Sequence, residues 1–127
     1  MSLASSSAIA TVAVSDLAAA ARFYEEALGL ERTHTEGEGA VEYRAGDTRL
    51  LVYVSAHAGG NDATAVTWDV GSGLDALVAA LRAKGVRFEH YDMPATQLEG
   101  DVHVSGRMRM AWFKDPDGNI HALMQAG

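Results

Sequence analysis

Ile9-Ala10-Thr11-Val12-Ala13-Val14 is a strand-like run that passes through Ser15-Asp16 into an apolar-periodic helix, and the helix stops at Gly29. The second half of the chain repeats the phrase: Thr64 to Val70 leads through Gly71-Ser72 into a helix that stops at Gly85. With the two stop glycines aligned, Ala65-Val66-Thr67 falls on Ile9-Ala10-Thr11. An internal repeat of this length decides the architecture, because each copy is one supersecondary unit that cannot bury its apolar face alone.

In the first copy Ser15-Asp16 can offer a side-chain oxygen to free backbone N–H groups, and Leu17, Ala20, Ala21, Tyr24 and Leu28 recur at helical spacing. Leu30 to Thr35 reads as a strand. Ala40 to Arg44 and Arg49 to Ser55 flank Ala45-Gly46-Asp47-Thr48, which is hairpin chemistry. Ala56 to Asp62, with Gly59-Gly60-Asn61, is a short linker. In the second copy Leu74, Leu77, Val78 and Leu81 form an inward stripe, and Val86 to Tyr91 follows as a strand. Asp92 to Gly106 reads as a long loop, the kind of segment that serves as a lid, a binding loop or a plain surface excursion. The final hairpin, Arg107 to Lys114 and Asn119 to Gln125, turns on Asp115-Pro116-Asp117-Gly118. The expected fold class is α+β, two tandem β-α-β-β-β modules forming a curved mixed sheet with helices on the convex face and a concave cleft opposite. Residues 1–127 read as a single domain, module one about 8–56 and module two about 63–125.

With 48% hydrophobic and 21% charged residues the composition is that of a globular protein. A net charge of −7 argues against nucleic acid or an anionic membrane as the main partner and is compatible with a cationic ligand. The absence of cysteine removes disulfides, thiolate nucleophiles and thiolate-held metals. Residues 1–8 carry no basic residue and no sustained apolar stretch, unlike a signal peptide, and no segment reaches the roughly 20 apolar residues of a membrane span. The expected location is cytoplasmic.

Val14-Ser15-Asp16-Leu17 with Phe23-Tyr24 and Leu28-Gly29-Leu30, followed at the end of the chain by Asp115-Pro116-Asp117-Gly118-Asn119, resembles the vicinal oxygen chelate superfamily. That superfamily includes glyoxalase I, extradiol dioxygenases and bleomycin-resistance proteins. The resemblance implies a homodimer, and in metal-dependent members four His or Glu side chains on the concave face that hold a divalent cation. Carried over one at a time, those positions fall on Ile9, Leu51, Ala65 and Ala122. Methyl groups supply no donor to Mg²⁺, Zn²⁺ or Fe²⁺. The expectation is therefore no metal and no cofactor.

Strand alternation places Ile9, Thr11, Ala13, Leu51, Tyr53, Ala65, Thr67, Asp69, Ile120, Ala122 and Met124 on the cleft side. The ligand-binding candidates are Thr11, Leu51, Tyr53, Ala65, Thr67, Asp69, Trp112 and Ala122; the alternative is a face filled by its own side chains or by a partner subunit. Trp68 and His121 should point to the helix side. The leading function is a metal-independent protein that binds a small apolar or cationic molecule in the cleft. Its rival is a glyoxalase-type lyase or isomerase with a metal relocated to His90, His103 or His121, or with Asp69 as general base. A third reading is a plugged cleft and a role in association.

Overall fold

A computed structural model describes residues 3–5 and 7–126 of the chain, so the reading of the N-terminal segment, which includes Met1, Ser2 and Ser6, lies partly outside the described residues. Strand β1 (Ala10–Val14) hands over to helix α1 (Leu17–Ala21), whose first turn is closed by Asp16. The Asp16 carboxylate accepts from the backbone N–H groups of Ala18 at 3.0 Å and Ala19 at 3.2 Å. The helix then widens into a π-helical stretch, Arg22–Ala27, in which Leu28 N–H donates to the Phe23 carbonyl at 3.0 Å. The apolar spacing suits either helix type, so it could not foretell the change. Gly29, at φ +72°, ends the segment as its position implied.

Strands β2 (Glu31–Glu36), β3 (Ala40–Ala45) and β4 (Thr48–Val54) complete the first module. Its four-stranded sheet has the order β1-β4-β3-β2, with β1 parallel to β4 and the other pairs antiparallel. One face carries Val12, Val14, Val41, Tyr43, Leu50 and Val52, all buried, with Ala20 and Tyr24 from the helical segment also buried. The Tyr24 ring stacks on Tyr43 at 5.9 Å. The Tyr43 hydroxyl donates to Glu25 at 2.9 Å, and its pKa is pushed up to about 12 by burial and then by that carboxylate. Arg32 holds the same Glu25 oxygen and lowers the carboxyl's pKa. Tyr43→Phe is expected to lose about 1 kcal/mol in urea denaturation, the net worth of one such hydrogen bond; an unchanged midpoint would show that the bond adds nothing.

The second module repeats the plan with β5 (Thr64–Asp69), helix α2 (Leu74–Ala83), β6 (Phe88–Glu89), β7 (Gln97–Glu99), β8 (Val102–Ser105), β9 (Met108–Lys114) and β10 (Ile120–Gln125). Its order is β5-β10-β9-β8-β7, with β6 also paired to β9. Again the first strand lies parallel to the last of its own module. Leu74, Val78 and Leu81 of α2 are buried, and the helix lies against β9 and β10. The chain resolves into two compact units whose boundary falls between Gly59 and Gly60, inside the stretch read as a linker. The α+β class and the two-module β-α-β-β-β plan hold.

Two details differ from the sequence reading. The strand expected over Val86–Tyr91 is confined to Phe88–Glu89. The long loop contains a hairpin, β7–β8, closed by Gly100-Asp101, with Gly100 at φ +64° and β8 joined to β9. Among the described residues no helix is long and apolar enough to cross a membrane.

Candidate functional site

Each sheet has one face turned away from its buried core, and the expected site residues distribute over these two faces. In the first unit Thr11, Leu51 and Glu42 are successive partners across β1, β4 and β3, as are Ala13, Tyr53 and Ala40. Partners across a ladder share a face. Thr11, Leu51 and Tyr53 therefore stand together, opposite the buried valines, as alternation required. Thr11 and Tyr53 are exposed and Leu51 is half-buried. The same register adds Arg49 opposite Arg44, so this face continues into a charged end. There Arg49 Nη1 donates to Glu42 at 3.3 Å, and Thr33 Oγ1 donates to the same carboxylate at 3.2 Å.

In the second unit Thr67, Ala122 and Trp112 form one row across β5, β10 and β9, with Asp69, Met124 and Met110 in the next. The opposite face carries Val66, His121 and Phe113 and then Trp68, Leu123 and Ala111. Trp68 and His121 are thus on the face expected for them, and they bond directly: Trp68 Nε1–H donates to His121 Nδ1 at 3.0 Å. Burial lowers the His121 pKa to about 4. Asp69 is exposed and its Oδ1 accepts the Gly71 N–H at 3.1 Å, so it shapes the turn into α2 in place of the apolar setting expected for a general base.

His103 is the residue that sequence reasoning weighed only as a metal ligand. It is 2% exposed and partners Met110 on β9, two residues along from Trp112, which puts it on the Trp112 face. Its ring lies edge-on to Trp112 at 4.8 Å, and Tyr91 lies edge-on to Trp112 at 5.4 Å. The Tyr91 backbone N–H donates to His103 Nε2 at 2.9 Å. That bond places the neutral ring's proton on Nδ1, and burial lowers the His103 pKa, favouring the neutral form. Among the described residues His103 Nδ1 and the Tyr91 hydroxyl are both buried with no partner in good hydrogen-bond geometry, although backbone groups of Met110 and Asp101 lie near enough to His103 to favour its charged form slightly. Such atoms are rare, and burying each unpaired costs about 1–3 kcal/mol.

The four positions at which the resemblance places a metal are now located. Ile9 precedes β1 and is 38% exposed; Leu51 is half-buried on β4. Ala65 occupies a bulge in β5, skipped where the register passes from Thr64–Ile120 to Val66–His121, and Ala122 is buried on β10. The relocated set is not assembled either. His121 lies on the opposite face from His103, and His90 pairs with Asp101 at 2.7 Å. Among the described residues no group of three or more His, Cys, Asp or Glu is placed to hold a metal ion. The donors among the described residues do not assemble a site that fits a bound cation.

Residues 7–123 match the profile of the Glyoxalase/Bleomycin resistance protein/Dioxygenase superfamily. The chain belongs to that superfamily. Among solved structures it is similar to a glyoxalase/bleomycin resistance protein from Catenulispora acidiphila, 25% identical over 94% of this chain and 97% of that one, with a TM-score of 0.71. The fosfomycin resistance protein FosX from Listeria monocytogenes is 15% identical, over 97% of this chain and 94% of that one, with a TM-score of 0.73. A lactoylglutathione lyase from Agrobacterium tumefaciens is 18% identical, over 95% of this chain and 93% of that one, at 0.68. The last two likenesses concern the fold. No curated protein matches the sequence. Membership in a superfamily with several chemistries leaves the chemistry to be argued from the residues.

Proposed function

We propose that this protein is a metal-independent small-molecule binding member of the glyoxalase/bleomycin-resistance superfamily. The observation that carries the proposal is that Ile9, Leu51, Ala65 and Ala122, the positions at which the resemblance places metal ligands, are all aliphatic, with no alternative ligand group assembled among the described residues. Without donors a cation has nothing to replace its water shell. A flat or apolar ligand has surfaces to bind: Leu51 and Tyr53 in the first unit, and Met110 and Trp112 in the second, all at least partly accessible. Aromatic walls with few polar groups suit small-molecule binding. The homodimer implied by the resemblance belongs to the same proposal.

The test is metal analysis of the purified protein after dialysis against Zn²⁺, Ni²⁺, Mn²⁺ and Fe²⁺, with melting temperature followed in parallel and against a panel of aromatic ligands. The expected result is substoichiometric metal, a melting temperature unmoved by any of the four ions, and a rise with at least one aromatic compound. Stoichiometric metal that raises the melting temperature would overturn the proposal and return attention to the histidines.

A further inference from the structure

The first unit contains a cavity of about 310 Å³ lined by Thr33, Glu42, Arg44, Asp47, Thr48 and Arg49. It lies at the hairpin end of the face that carries Leu51 and Thr11, and every residue lining it belongs to the first unit. Arg44 and Arg49 are direct partners on antiparallel strands, so two guanidinium groups leave the sheet side by side on one face. Like charges directly opposite each other destabilise a strand pair unless something lies between them. Arg49 has Glu42 at 3.3 Å, and that carboxylate also accepts from the Thr33 hydroxyl. The Arg44 side chain makes no hydrogen bond or ion pair among the described residues, and neither does the Asp47 side chain at the turn. The Thr48 hydroxyl is spent on the Ala45 carbonyl at 2.9 Å, leaving arginine as the donor of this cavity.

We propose that the cavity binds the terminal oxyanion of a small ligand, a phosphate, phosphonate or carboxylate group, held by the forks of Arg44 and Arg49. A guanidinium presents paired N–H donors at the spacing of two oxyanion oxygens and stays charged at any physiological pH. An anion between the two forks would turn their mutual repulsion into two attractions. The volume is at the lower end of small-molecule pockets, which suits a compact ligand. Chain-wide charge points the other way, since −7 invites a cation. Screening over about 10 Å at 0.1 M salt weakens that distant field; within the cavity Glu42 and Asp47 balance the two arginines, so the anion is favoured by the unengaged Arg44 fork and not by net charge. The proposal goes beyond small-molecule binding by the apolar faces and stands apart from it, because the lining is complete within one unit.

The experiment is titration of ¹⁵N-labelled protein with inorganic phosphate, methylphosphonate and acetate at constant ionic strength, with amide shifts read residue by residue. The expected result is saturable shifts confined to the 42–49 hairpin and its neighbours on β2, with the order of affinity naming the preferred oxyanion. Arg44→Gln should weaken binding about tenfold, the loss of one charge-assisted fork. Arg44→Lys, which keeps the charge but loses the fork, should fall between. Asp47→Asn should tighten binding, because it removes a negative charge from the cavity lining that repels an anion. Arg82→Gln, in the second unit, should change nothing. Unsaturable shifts, shifts spread over the surface, or equal affinity in wild type and Arg44→Gln would overturn the assignment.

Discussion

Asp115→Ala is expected to lower stability by about 3 kcal/mol and the melting temperature by roughly 10 °C. Asp115 is only 4% exposed, yet its carboxylate is fully engaged at the closing turn. Its Oδ1 accepts from the backbone N–H groups of Asp117 at 3.0 Å and Asn119 at 2.8 Å, and its Oδ2 accepts from the Asn119 side chain at 2.8 Å. Its backbone exchanges further bonds with Asn119 and Gly118, the latter at φ +90°. Pro116 at the second position and Gly118 at the fourth suit this turn, but the carboxylate clamps it. Hydrogen bonds to charged groups contribute about 1.5–3 kcal/mol each, and solvent reaching the freed N–H groups recovers part of the loss. The turn sets the register of β9 on β10, the central pair of the second sheet. Urea denaturation checks the value. A loss below about 1 kcal/mol would mean that proline and glycine alone hold the turn. Asp115→Asn should fall between, since its amide can keep one acceptor but must turn an N–H₂ toward one of the present donors.

That turn was among the most legible parts of the chain, because its chemistry is local. Ser15-Asp16 and Gly29 were legible for the same reason: a cap and a left-handed stop depend on neighbours in sequence. Two short-range signals passed unread. Gly100-Asp101 is a two-residue hairpin turn of a recognised kind, but β7 has only three residues, Gln97–Glu99, and so shows little alternation. Arg44 and Arg49 enter the sequence reading only as the ends of two expected strands, although the hairpin over Ala45–Thr48 already puts them opposite each other on the Leu51 face. Alternation was applied within strands and not carried across the turn.

Other features could not have been read. The spacing of His103 says nothing about Tyr91 closing over it, since the Tyr91 N–H bond and the Trp112 contact come from tertiary packing across three segments. The surroundings of Asp69 were hidden for the converse reason. It lies in the row with Met124 and Met110 as alternation gives, but at the end of β5 its side chain accepts the Gly71 N–H two residues on and joins the turn. A face follows from period two; burial at the end of a strand does not.

Between pH 7 and pH 5 the protein is expected to lose about 2 kcal/mol of stability, and about 3 kcal/mol by pH 4, with His121 the main source. His121 is fully buried between Trp68 and Phe113, with ring centroids 6.1 Å and 4.9 Å away and near-parallel planes. No protonated form fits this arrangement well, because Nδ1 already accepts the Trp68 N–H and a second proton would set two donors against each other. Burial therefore holds the folded-state pKa at about 4, against about 6.5 in the unfolded chain. The unfolded state takes up a proton as pH falls through 6.5 and the folded state does not, so stability is full above that value and drains away down to about pH 4. Below that both states are charged and the contribution is flat. His103, also lowered by burial, adds a slope of the same sign, whereas the 5–7 window lies above the usual range of carboxylates. Urea unfolding at pH 7, 6 and 5 measures the slope, and His121→Leu separates its source. That variant should be less stable than wild type at pH 7, since Trp68 loses its acceptor, yet change much less between pH 7 and pH 5. If His121→Leu keeps the wild-type slope, the buried imidazole is not what makes this fold acid-sensitive.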